Sequence, residues 1–202
     1  MFGILRIFIG LVVGLILIAI LHKYIKKRIV INVFFLTFFI IAFITALGFI
    51  PFENMIYDFK SAEDVYRYYY YGEKQIDMVI KGTECDFVIG EKKNISTYLI
   101  VPKTETGWKI GIGLNTKKIF QKVSNGITVY VYQYKNTNDY FISILSSNGG
   151  DLEITDSYNS KFFSLEKTSN SYARDFINYY THISGFDSKY WVSINGSIIE
   201  LN

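Results

Sequence analysis

The chain has 202 residues, of which 50% are hydrophobic and 19% charged, with a formal net charge of +3. Residues 1–52 hold 5 of the 21 Lys and Arg and none of the 18 Asp and Glu, so residues 53–202 carry 16 − 18 = −2. A slightly acidic main part excludes nucleic-acid binding driven by net charge, and the acid-free, apolar first quarter argues for a membrane segment.

Residues 2–21 are apolar except for Arg6. At about 1.5 Å per residue, twenty helical residues cover roughly 30 Å, the hydrocarbon thickness of a bilayer. Residues 29–51 carry no charge and end at Pro51. The short loop 22–28 between them contains Lys23, Lys26, Lys27 and Arg28. This pattern predicts a two-helix transmembrane hairpin over residues 1–52. The apolar run is too long for a cleaved signal, and a second span follows it. The basic loop predicts a cytoplasmic turn, with both termini extracytoplasmic and the chain in the cell membrane. Gly10 and Gly14 form a small-xxx-small pair and are expected to pack the two helices together.

Residues 53–123 read as a small α+β unit. Ser61 is placed to cap a helix whose first turn holds Glu63 and Asp64. Ala62, Val65, Tyr66, Tyr69 and Tyr70 recur at helical spacing, so the tyrosine run reads as core packing more than as a ligand platform. From Gln75 the period changes to two. Strands are expected over residues 75–81, 84–89, 96–101 and 107–113, forming an antiparallel meander. The stretch 117–125 is polar and ends in a turn signal at Ser124-Asn125-Gly126, which sets a boundary at residue 124.

Residues 124–202 show short alternating segments at 127–135, 140–146, 152–155, 161–166, 176–183, 190–194 and 197–201. Turn residues separate them, with Asn195-Gly196 the strongest hairpin signal. Seven short strands predict an immunoglobulin-like β-sandwich, without its Cys…Trp…Cys signature. Residues 172–183 also fit a helix; their Tyr, Ile and Thr content favours a strand for the later half.

The chemistry-bearing residues form no catalytic, cofactor or metal pattern. His22 and His182 lie far apart, and a lone His182 in a strand reads as structural or exposed. Cys85 is the only cysteine; it alternates with Phe87 and Ile89 and reads as a small buried apolar residue. Ser157 and Lys161 have the wrong spacing for a Ser-x-x-Lys nucleophile. Gly111-Ile112-Gly113 lacks the third glycine of a dinucleotide loop. Glu84 with Asp86, and Glu153 with Asp156, read as solvated acids. The sequons at Asn94 and Asn195 read as turn chemistry.

The stretches FKSAEDVYRYYYYG, ECDFVIGE, VPKTETGWKIG, TDSYNSKF and INYYTHISGFDSKYWVSING occur in this order across residues 57–202. Their arrangement resembles uncharacterised extracytoplasmic proteins of low-GC Gram-positive bacteria, which have a membrane anchor and a helix-plus-strands segment with a Gly-Trp-Lys turn. The resemblance implies no activity. The expected function is a non-catalytic binding or assembly module of the cell envelope, touching the lipid bilayer and an envelope protein or peptide. A carboxylate-based hydrolase and a structural subunit of a membrane complex are the alternatives.

Overall fold

The computed structural model describes residues 51–70, 75–92, 95–111, 115–135, 137–147, 151–169, 174–187 and 189–201, with short helical stretches at 12–14, 16, 19–20, 38–40 and 42–43 before them. The expected transmembrane hairpin is overturned: among the described residues no helix is long and apolar enough to cross a membrane, and strands dominate. The two-pass cell-membrane placement falls with it. Most of the segments 2–21, 22–28 and 29–51 lies outside the described residues, including Gly10, Lys23, Lys26, Lys27 and Arg28. Gly14 is helical, and a Cβ built on it would meet no described atom within 4 Å. Hydropathy measures avoidance of water, whereas spanning also requires one unbroken helix of about 20 residues.

A 3-10 turn (Phe52–Met55) leads to helix α1 (Ala62–Tyr69). The Ser61 hydroxyl accepts the Asp64 N–H at 3.1 Å, satisfying one of the donors that a helix start leaves unpaired. Ala62, Val65 and Tyr66 are buried at helical spacing and pack with Phe59, Val88, Val101 and Ile110. The sheet beneath contains β1 (Gln75–Lys81), β2 (Cys85–Lys92), β3 (Ile95–Thr104) and β4 (Gly107–Trp108), in that order and antiparallel. Strict alternation would send Ile76 and Val79 to opposite faces. A bulge between Ile76 and Met78 returns both to the α1 face, while Met78 and Ile80 face the other way.

The second sheet has the order β5 (Thr116–Ser124), β6 (Ile127–Tyr134), β7 (Asp139–Ser146), β10 (Arg174–Ser184) and β9 (Phe163–Ser169). The third has the order β12 (Ser197–Glu200), β11 (Trp191–Ile194) and β8 (Ile154–Asp156). The five-stranded sheet is buried on both faces. Val129, Val131, Ile142, Ile144, Ile177 and Tyr179 pack against the third sheet's Val192, Ile194 and Ile199. Tyr132, Phe141 and Tyr180 pack against Ile80, Cys85, Phe87, Ile89 and Ile100 of the first sheet. Phe87 stacks on Phe141 and Tyr132 with centroids 5.2 and 5.8 Å apart; such pairs add about 0.5–1.5 kcal/mol each beyond area burial. The layers therefore run helix, four strands, five strands, three strands.

One core cluster spans the boundary set at residue 124. The boundary at residue 124 falls in the β5–β6 hairpin, whose register runs from Thr116–Tyr134 to Ser124–Ile127. Residues 53–123 and 124–202 share a core through Phe87, Tyr132, Phe141 and Tyr180. The strands expected over residues 124–202 do form two antiparallel sheets packed face to face, and the five-stranded one gains its first strand, β5, from the polar segment before the boundary. That segment is polar because β5 is an edge strand, where lysines discourage unwanted pairing.

Candidate functional site

The turn from β1 to β2, Gly82-Thr83-Glu84, is clamped between two buried carboxylates. Asp139, at the start of β7, is 0% exposed. Its Oδ1 accepts the Thr83 N–H at 2.9 Å, and its Oδ2 accepts the N–H groups of Glu84 at 2.6 Å and Cys85 at 2.8 Å. Asp86 Oδ1 faces Lys103 Nζ at 2.9 Å, and its Oδ2 accepts the Trp108 indole N–H at 2.8 Å. Lys103 also donates to the Gly82 carbonyl at 2.5 Å. Gly82 is required by this close approach, because a Cβ there would sit 2.4 Å from the Cys85 carbonyl and 2.7 Å from Asp139 Oδ2.

Asp139 also holds His182, whose Nε2 lies 2.7 Å from Oδ1. Asp139 closes the turn-like run Asn136-Thr137-Asn138-Asp139, which carries no local sign of a histidine partner. The two are 43 positions apart and are brought together by the β7–β10 pairing, in which His182 faces Phe141. Burial alone would raise the Asp139 pKa. The hydrogen bonds from Thr83, Cys85, His182 and Glu84 more than offset that and hold it below its ordinary value of 3.8.

His182 opens onto a cleft of about 490 Å³ that runs between β1 and β9. Met78, Val79, Ile80 and Lys81 form one wall, and Ser160, Lys161 and Phe163 the other; Thr181 and His182 line it from β10. The Thr181 hydroxyl donates to the Lys161 carbonyl at 2.9 Å, fixing the approach to β9. Lys161 Nζ sits 5.2 Å from the Phe163 ring centroid, a cation–π contact at the rim. The lining contains two lysines and a histidine and no carboxylate. Both β1 and β9 are edge strands, each hydrogen-bonded to one sheet neighbour.

The remaining sequence candidates are placed as follows. Cys85 is fully buried, and burial first, then the Asp139 charge, pushes its thiol pKa far up, so it stays protonated. Asp86 and Asp156, expected on solvated faces, are instead buried. Asp156 accepts the Tyr190 hydroxyl at 2.5 Å and the N–H groups of Tyr158 and Ser160 at 3.1 and 2.7 Å. Asn195 and Gly196 both have positive φ, as a tight hairpin turn requires. Among the described residues no group of three His, Cys, Asp or Glu is placed to hold a metal ion. The arrangement can position an imidazole, present cations and offer strand edges. Comparisons with protein-family models, curated proteins and solved structures each found no match to this chain.

Proposed function

We propose that this chain is a non-catalytic binding or assembly module that takes an acidic, extended peptide segment of a partner in the cleft between β1 and β9. The observation that carries this reading is the lining itself: Lys81, Lys161 and His182 with no carboxylate, walled by two edge strands. An edge strand supplies main-chain donors and acceptors at fixed spacing, and alternate side chains of an added strand supply specificity. Acidic side chains on the occupant would meet the two lysines, while apolar ones would rest on Met78 and Ile80. The carboxylate-hydrolase alternative finds no support here, because Asp86, Asp139 and Asp156 are committed to buried partners.

The test is fluorescence anisotropy with a labelled peptide of alternating Glu and Val, matched to the 7 residues of β1, against the same peptide with Lys for Glu. The acidic peptide is expected to bind and to weaken as salt rises. Exposed ion pairs are worth about 0.2–1 kcal/mol each. Reversing both charges in Lys81→Glu/Lys161→Glu turns two attractions into repulsions and should weaken binding roughly tenfold, at about 1.4 kcal/mol per tenfold. Equal binding of the two peptides, or an unaffected double variant, would overturn the proposal.

A further inference from the structure

A separate, smaller cleft of about 90 Å³ opens where the first and second sheets meet. Phe87, Tyr98, Tyr130, Tyr132 and Tyr180 line it. Tyr98 forms its exposed lip, 4.9 Å from Tyr132 and 5.5 Å from Phe87 between ring centroids. The polar residues of the lining are neutral: Asn178, Ser96, Ser143 with its hydroxyl bonded to the Tyr180 phenol, the tyrosines, and Thr97, whose own hydroxyl is engaged by Tyr66 and the Gly90 carbonyl. No Lys, Arg, His, Asp or Glu is in the lining. Burial pushes the Tyr180 phenol up to about 12 and raises that of Tyr132 as well, so both stay neutral donors.

Three ligand classes can be weighed against this chemistry. A charged ligand would lose its hydration and find no counter-charge. A purely aliphatic one would strip water from Asn178 and the hydroxyls and replace none of their hydrogen bonds. A neutral ring with an apolar face and a hydroxylated edge satisfies both halves of the lining, with C–H groups on the aromatic rings and hydroxyls on Asn178 and Ser143. We propose that this aromatic cleft is a binding site for a neutral saccharide ring, seated on Tyr98 and Tyr132 with its hydroxyl edge toward Asn178. At about 30 Å³ of liquid volume per water, the cavity holds on the order of three waters, so the ring enters by one edge and keeps its far side in solvent. The site is independent of the β1–β9 cleft, with which it shares no lining residue.

The test is an NMR titration of the full chain with glucose, N-acetylglucosamine and tetramethylammonium chloride, following the Asn178 side-chain amide and the Tyr98 and Tyr180 backbone amides. A neutral sugar is expected to shift these signals saturably with a Kd in the ~mM range, which is the weak end of specific affinity. Tyr98→Ala should weaken it at least about fivefold, as loss of a stacking platform does. Tyr98→Phe, which keeps the ring, should stay within about twofold on the same reasoning. Tyr98 lies at the lip and not in the core, so both variants should keep the native amide dispersion. Absence of a saturable shift with either sugar, tighter binding of tetramethylammonium than of the sugars, or an unchanged affinity in Tyr98→Ala would each overturn the proposal.

Discussion

Replacing Asp139 with Asn tests the anchor that holds the β1–β2 turn against β7 and β10. The carboxylate serves five donors: the N–H groups of Thr83, Glu84 and Cys85, the Cys85 thiol at 3.5 Å, and His182. An amide nitrogen cannot accept a hydrogen bond. If it takes the Oδ2 place, two backbone donors at 2.6 and 2.8 Å face another donor. If it takes the Oδ1 place, the Thr83 N–H loses its acceptor and His182 must change tautomer to keep a hydrogen bond. Hydrogen bonds to a charged group contribute about 1.5–3 kcal/mol each, and breaking a buried charged cluster costs about 3–5 kcal/mol. We therefore expect a loss of about 3–5 kcal/mol in urea unfolding, or roughly 6–20 °C in Tm at about 2–4 °C per kcal/mol for a chain of this length. A pH series adds a sign. Because the folded pKa of Asp139 is depressed, its stabilisation is complete above the ordinary carboxylate value and is lost as pH falls through the folded one. The wild type should lose stability below about pH 4, the unfolded carboxylate range, and the variant should lack that component. A loss under about 1 kcal/mol, the size of one ordinary hydrogen bond, with an unchanged acid limb would refute the anchoring argument.

Other substitutions probe the same layers. Lys103→Met removes the cation beside buried Asp86 and should cost about 3 kcal/mol in chemical denaturation. Gly90→Ala places a Cβ 2.3 Å from the Gln75 carbonyl and 2.6 Å from the Tyr66 hydroxyl; it should destabilise the α1–sheet layer by about 1–3 kcal/mol, read as a lower unfolding midpoint. Tyr190→Phe leaves buried Asp156 without its 2.5 Å hydroxyl donor and should cost about 1.5–3 kcal/mol in thermal unfolding. The Cys85 thiol should resist a thiol reagent at pH 8 in the native state and react at once in denaturant; rapid native labelling would contradict its burial.

Local structure was legible wherever it depended on neighbours in sequence. The Ser61 cap, the Ala62–Val65–Tyr66 stripe and the alternation in β1, β2, β6 and β7 depend on side chains a few positions apart, and these elements lie where periodicity placed them. Strand β5 was missed because an edge strand with Lys117, Lys118 and Lys122 has no apolar alternation to read. The apolar runs before residue 51 gave the membrane reading, since hydropathy does not distinguish a spanning helix from other water-avoiding segments. The candidate site was hidden for a different reason. His182 looked solitary because its partner Asp139 sat in a turn-like Asn-Asp cluster 43 positions earlier.

The amino-acid sequence by itself determined the helix and its cap, the positions of most strands, the tight Asn195-Gly196 turn and the inward direction of Cys85, because each depends on backbone preferences and burial periods that neighbouring residues set. Tertiary structure alone decided that one sheet is covered on both faces, that Asp86, Asp139 and Asp156 are buried partners and not solvated acids, and that Lys81 and Lys161 face one cleft. Those facts depend on which strands become neighbours across long loops. Strand pairing is a global balance of core packing and hydrogen bonding that no local window of residues contains.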